Sequence, residues 1–157
     1  MKALTHYIFS AGVSLGLLSL AHELDLASTL MALWLALSVN YLLDLLGHVS
    51  RKGNPTRTWV THSIVTAPFW GALVAIVSLA AASQASGSFP VLSASGFWTI
   101  MGVLISGEHL FLDSLTQAGV YSWKKRIAVA HFRYDNPALN LGFALLGAVL
   151  IVVALGA

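Results

Sequence analysis

The chain has 157 residues, of which 57 % are hydrophobic and only 9 % charged, with a formal net charge of +2 and a mean hydropathy of +0.81. Soluble domains carry about 25 % charged residues, so the composition excludes an ordinary soluble fold and indicates one integral membrane domain spanning residues 1–157. There is no cysteine, which removes disulfides, thiolate–zinc sites and cysteine nucleophiles. The basic residues flank apolar runs and form no module with interleaved aromatics, which speaks against nucleic acid.

Five apolar runs follow in chain order: Tyr7–Ala21, Leu26–Leu46, Trp59–Ala82, Gly96–Ala118 and Ala138–Ala157. A bilayer core takes about 20 helical residues. The expectation is therefore an all-α polytopic bundle of about five transmembrane helices. The first run is short and has the outline of a signal peptide, with Lys2 ahead and "SLAH" behind; we read it as a retained helix. Its Gly12 and Gly16 form a GxxxG pair, which lets another helix approach closely. Asn136-Pro137 reads as a helix cap followed by proline at the first helical position.

The loops alternate in charge. "HELD" (His22–Asp25) is acidic, and "RKGNPTR" (Arg51–Arg57) carries three positive charges. Ser83–Ser95 has none, and Tyr121–Pro137 holds Lys124, Lys125, Arg126 and Arg133 against Asp135. The positive-inside rule then gives a cytoplasmic N-terminus and an external C-terminus, in a multi-pass protein of the cell membrane whose first partner is the lipid bilayer.

Against that topology the ionisable groups gather on one side. An ionisable side chain at the centre of a membrane helix costs about 2.5–3.5 kcal/mol or more and is normally kept for function or for an internal pair. His6 begins the first run. Asn40, Asp44 and His48 lie at i, i+4, i+8 along the second. His62 opens the third. His109, Asp113 and Thr116 lie at i, i+4, i+7 on the fourth. Residues four apart share a helix face and can bind one ion. His6, Asp44, His48, His62, His109 and Asp113 together offer four imidazoles and two carboxylates. That donor set suits a hydrolytic site with one or two divalent ions, zinc or manganese. Glu108 is a candidate base or a structural partner. Arg57, Arg133 and Thr116 are candidate substrate-binding residues, each arginine being able to hold a phosphate by two hydrogen bonds. A lone helix-end histidine is commonly only interfacial, as expected for His22, and His131 is expected in solvent. An Asp–His pair also serves as interhelical glue.

At these residues "THYIFS" (Thr5–Ser10), Asp44 to His48, "RTWVTHS" (Arg57–Ser63) and "GEHLFLDSLTQAGV" (Gly107–Val120) the chain resembles the YdjM-like membrane-bound metal-dependent hydrolases, and is most similar to their small archaeal members. The resemblance implies His6, Asp44, His48, His62, His109 and Asp113 as metal ligands. It departs from the family pattern in having one Asp before His48, Thr56 in place of a His, and Glu108 where a small residue is usual.

Four expectations of different classes follow. One is a hydrolase at the cytoplasmic face acting on a phosphoester or ester of a lipid, lipid-linked or phosphorylated substrate. A transport path for metal ions or protons is opposed by the near absence of ionisable groups in the external halves of the last four helices. The third is a haem-binding subunit with His62 and His109 as axial ligands. The fourth is a non-catalytic structural subunit, as a homo-oligomer or in a membrane complex.

Overall fold

The computed structural model describes residues 1–51, 54–86 and 92–156. Five helices follow one another: α1 (Ala3–Leu20), α2 (Leu26–Gly47), α3 (Thr66–Ser86), α4 (Leu92–Ser114) and α5 (Pro137–Gly156). Among the described residues α1, α2, α3 and α5 are long and apolar enough to cross a membrane, which marks a membrane protein. The expected fifth span, α4, is as long as the others, but Ser106, Glu108, His109 and Asp113 lower its hydropathy. Residues 87–91 of the expected uncharged loop and Ala157 lie outside the described residues.

The helix ends differ from the apolar runs for identifiable reasons. α1 begins at Ala3, so His6 lies inside it. α3 begins at Thr66 and not at Trp59. A helix from Trp59 would put Pro68 in its interior, where the missing N–H and the ring break the ladder; starting at Thr66 puts Pro68 in the first turn, where it is tolerated. His62 therefore sits in a turn ahead of α3. α4 stops at Ser114, because the chain then turns through Gly119 at φ 62°. Thr116 is thus beyond the helix that was expected to carry it. α5 is capped as expected, with Leu139 N–H donating to Asn136 Oδ1 at 3.0 Å. Asp25 caps α2 by accepting from Ser28 N–H at 2.7 Å.

Two antiparallel hairpins are absent from the all-α expectation. β1 (His48–Arg51) pairs with β2 (Asn54–Arg57), and β3 (Val120–Ser122) with β4 (Lys125–Ile127). The first register sets His48 opposite Arg57. Tyr121 N–H donates to the His62 carbonyl at 2.7 Å, and Ile64 N–H to the Tyr121 carbonyl at 2.9 Å. The turn carrying His62 is thereby stitched to the second hairpin.

Backbones meet where glycine allows it. A Cβ on Gly12 of α1 would strike the Gly147 backbone of α5, and one on Gly71 of α3 the Gly102 carbonyl of α4. Gly16 has open space around it, so only Gly12 of the expected GxxxG pair makes a close approach. α1 and α4 carry the buried polar side chains Thr5, His6, Ser10, Ser14, Ser106, His109 and Asp113. α2, α3 and α5 turn large apolar residues such as Trp34, Phe69 and Val152 outward. Polar groups are thus collected inside the protein, where they have partners, and kept away from lipid.

Candidate metal centre

The six expected ligand residues come together as two adjoining groups, His6–His109–Asp113 and Asp44–His48–His62, each with ligand atoms within 4.8 Å of one another. His62 Nε2 and His109 Nε2 lie 3.3 Å apart. Asp113 Oδ2 is 3.4 Å from each of them. Asp44 Oδ1 is 3.7 Å from His62 Nε2 and 3.6 Å from His109 Nε2. A tetrahedral ion with bonds of about 2.0–2.1 Å sets its ligand atoms about 3.3–3.4 Å apart. The five distances between the histidine nitrogens and these carboxylate oxygens, 3.3–3.7 Å, lie close to that spacing.

Their hydrogen bonds fix what each presents. Asn40 spends its Nδ2 hydrogens on the Ala36 carbonyl at 2.7 Å and Ser10 Oγ at 3.2 Å. Its Oδ1 therefore accepts from His109 Nδ1–H at 2.8 Å. Thr61 spends its hydroxyl hydrogen on the Leu43 carbonyl at 2.9 Å, so its oxygen accepts from His62 Nδ1–H at 3.0 Å. A neutral imidazole protonated on Nδ1 carries its lone pair on Nε2. Both histidines thus turn lone pairs toward each other and toward two carboxylates, an arrangement that calls for a cation at the centre. Gly47 makes room, since a Cβ there would overlap the His62 ring.

Asp113 divides its two oxygens. Oδ1 accepts from Arg57 Nη2 at 2.6 Å, from the Met1 ammonium at 2.5 Å and from His6 Nε2–H at 3.2 Å. Oδ2 is buried with no hydrogen-bond partner among the described residues and faces the two histidines. One oxygen is neutralised and the other is left for an ion. Burial alone would lower the His62 pKa, but the Asp113 and Asp44 carboxylates outweigh it and raise it.

The remaining candidates fall around this core. His6 stacks on His109, with ring centres 4.2 Å apart, and its Nε2 is already committed to Asp113. His48 donates Nδ1–H to the Asp44 carbonyl at 2.8 Å and stands edge-on to His62. Both line the site from outside the four closest atoms. Thr116 remains in contact although it lies past α4: it donates to the Asp113 carbonyl at 2.9 Å and accepts from Arg57 Nη1 at 3.0 Å. Glu108 stands apart from both ligand groups, toward Ser10 of α1. Arg133 is 73 % exposed and held by Asp135 through two hydrogen bonds of 3.0 and 2.9 Å, so its charge is spent locally. His131 and His22 are exposed, as expected.

Asn40 was noted only as part of a stripe and Thr61 was missed. Each orients a candidate ligand through its Nδ1–H. Partners of this kind are worth about 10–100-fold in metal affinity. Asn40→Leu and Thr61→Val are each expected to weaken zinc binding by that factor while the helix content stays unchanged, as read by chelator competition and circular dichroism.

No curated protein and no solved structure matches the chain. A family described as "Protein of unknown function (DUF1286)" matches residues 1–112, a segment that contains every candidate ligand except Asp113. With that match covering most of its length, the chain belongs to the DUF1286 family.

Proposed function

We propose that the chain is a membrane-embedded, metal-dependent hydrolase whose site lies at the cytoplasmic face of the cell membrane and acts on a phosphoester of a lipid or lipid-linked substrate. The observation that carries the reading is that His62 Nε2 and His109 Nε2 lie 3.3 Å apart, each within 3.4–3.7 Å of Asp113 Oδ2 and Asp44 Oδ1. These four residues would hold one zinc or manganese ion, with His6 and His48 as outer supports or as part of a second ion's shell. Such an ion supplies Lewis-acid charge for attack of water on a phosphoester. Arg57 binds the outer oxygen of Asp113 and so holds that ligand in place. Glu108 faces Ser10 of α1 and is left out of the proposed ligand set.

Several features support the reading. The two hairpins, β1–β2 and β3–β4, lie at the same end of the bundle as the ligands, and the basic charge of their segments agrees with a cytoplasmic site and with α4 as a fifth span. The resemblance to the YdjM-like hydrolases, including small archaeal ones, points the same way. A haem subunit is disfavoured by geometry: two axial nitrogens on one iron stand about 4 Å apart across it, twice a metal–nitrogen bond, whereas these two are 3.3 Å apart with carboxylates between them.

Elemental analysis of the detergent-purified chain tests the proposal. We expect about one equivalent of zinc or manganese, a tetrahedral visible spectrum after exchange with cobalt(II), and metal-dependent release from a phosphoester panel. A chain that holds no metal after incubation with zinc and manganese would sink the reading and leave the cluster as interhelical glue.

A further inference from the structure

Beside the metal centre, between the two hairpins, lies a cleft of about 420 Å³. Arg57, Thr58, Trp59, Tyr121 and Arg126 line it, with Val49 among its apolar walls. Two arginines and no carboxylate are among its lining residues. Two polar atoms of its walls, Arg57 Nε and Thr58 Oγ1, are buried with no hydrogen-bond partner among the described residues. A buried N–H or hydroxyl left unpaired costs about 1–3 kcal/mol, so a ligand oxygen that reached either atom from the cleft would relieve that cost. Tyr121 Oη donates to the Arg57 carbonyl at 3.2 Å, which fixes the backbone between the two hairpins.

Charge and shape narrow the ligand. Arg57 is nine-tenths buried, at 8 % side-chain exposure, and its Nη groups are occupied by Asp113, Thr116 and Gly119. Nε and the second Nη2 hydrogen remain to donate. Arg126 is exposed at the cleft, and Lys124 Nζ lies 5.9 Å from the centre of the Trp59 ring. Arg126 and Lys124 therefore bring positive charge to a space bounded on other sides by Trp59, Val60 and Val49, while the Arg57 charge is balanced by Asp113. Those three are exposed apolar residues, suited to the boundary between headgroups and acyl chains. The ligand is anionic, an acceptor at several oxygens, and attached to an apolar body.

We infer that this cleft is an anion subsite, separate from the metal centre and joined to it through Arg57, that takes the phosphate group of an amphiphile. The inference rests on the hydrolase reading for the purpose of the subsite, but the binding itself does not require the metal. It adds Thr58 and Arg126 as ligand-contacting residues.

The test uses the full chain in non-ionic detergent and three probes in titration calorimetry: dioctanoyl phosphatidic acid, dioctanoylglycerol and inorganic phosphate. Phosphatidic acid is expected to bind at least tenfold more tightly than the uncharged glycerol lipid. Arg126→Gln and Thr58→Val are each expected to weaken it at least fivefold with metal content unchanged. Arg126 is exposed, so its variant folds independently of the outcome. If inorganic phosphate binds as tightly as phosphatidic acid, the anion subsite stands and its ligand is free phosphate; if it binds far more weakly, the ligand is a lipid headgroup. Equal affinity for the charged and uncharged lipids, or wild-type affinity in Arg126→Gln, overturns the subsite. Selective binding by a chain that holds no metal would retain the subsite and remove the hydrolase reading.

Discussion

Asp113→Asn is expected to lower metal affinity at least 100-fold and to destabilise the bundle by about 3–5 kcal/mol, the usual cost of removing one partner from a buried ion pair. Both effects come from one carboxylate with two duties. Oδ2 stands 3.4 Å from both His62 Nε2 and His109 Nε2. Oδ1 balances the Arg57 guanidinium and the Met1 ammonium. An amide keeps the shape and removes the charge, leaving two buried cations facing a neutral group. The check is metal content together with thermal unfolding in detergent. A variant that retains a full equivalent of metal and unfolds at the wild-type temperature would refute Asp113 as the centre of the site. In the wild type, affinity for the ion is expected to fall on acidification, because His62 and His109 must be neutral to bind it.

The second large effect is expected away from any ligand. A Cβ at Gly102 would strike the Gly71 carbonyl and lie 2.9 Å from Ala75 Cβ. Neither backbone yields without parting α3 from α4. Gly102→Val should therefore cost on the order of 3 kcal/mol, the upper range for overpacking. It should also weaken metal binding, because α4 carries His109 and Asp113 while His62 is tied to the start of α3. Gly16→Ala is the contrast, with nothing within 4 Å of the new atom. It should be neutral or stabilising by up to about 1 kcal/mol, the helix-propensity difference between the two residues. Equal melting temperatures for Gly102→Val and wild type would refute the close backbone contact.

The candidate ligands were legible because helical spacing is legible. Asp44 and His48, and His109 and Asp113, stand four apart, and the alternation of basic loops put both pairs at one end of the chain. Charge spacing also drew attention to Arg57, whose place beside Asp113 is part of the site. The same reasoning overreached at Arg133, where Asp135 two residues on already supplied a partner. The hairpins escaped because strands of three or four residues are too short for a period to emerge. Hydropathy likewise ran through the turn at 58–65, although Pro68 marked the true start of α3. Thr61 and Asn40 carry no charge, and their roles exist only once a third residue, Leu43 or Ser10, takes up their hydrogens. Glu108 shows the converse: it adjoins His109 in sequence, but the helix turns it toward α1.

The four inner donors are distributed along the chain in a way that bears on its biogenesis. Asp44 lies at the end of α2, His62 just before α3, and His109 and Asp113 in the last turns of α4. Synthesis delivers them in that order. A nascent chain that has inserted only its first three helices holds one carboxylate and one imidazole of the four, too few to retain an ion. If the site holds the proposed ion, loading would belong to a stage after α4 has been laid against α3. Such an ion would join α2, the α3 turn and α4, and its binding energy would become folding energy. Metal supply during membrane insertion would then govern how much of the protein matures, and a chain starved of metal would persist as an assembled but loosely held bundle open to proteolysis.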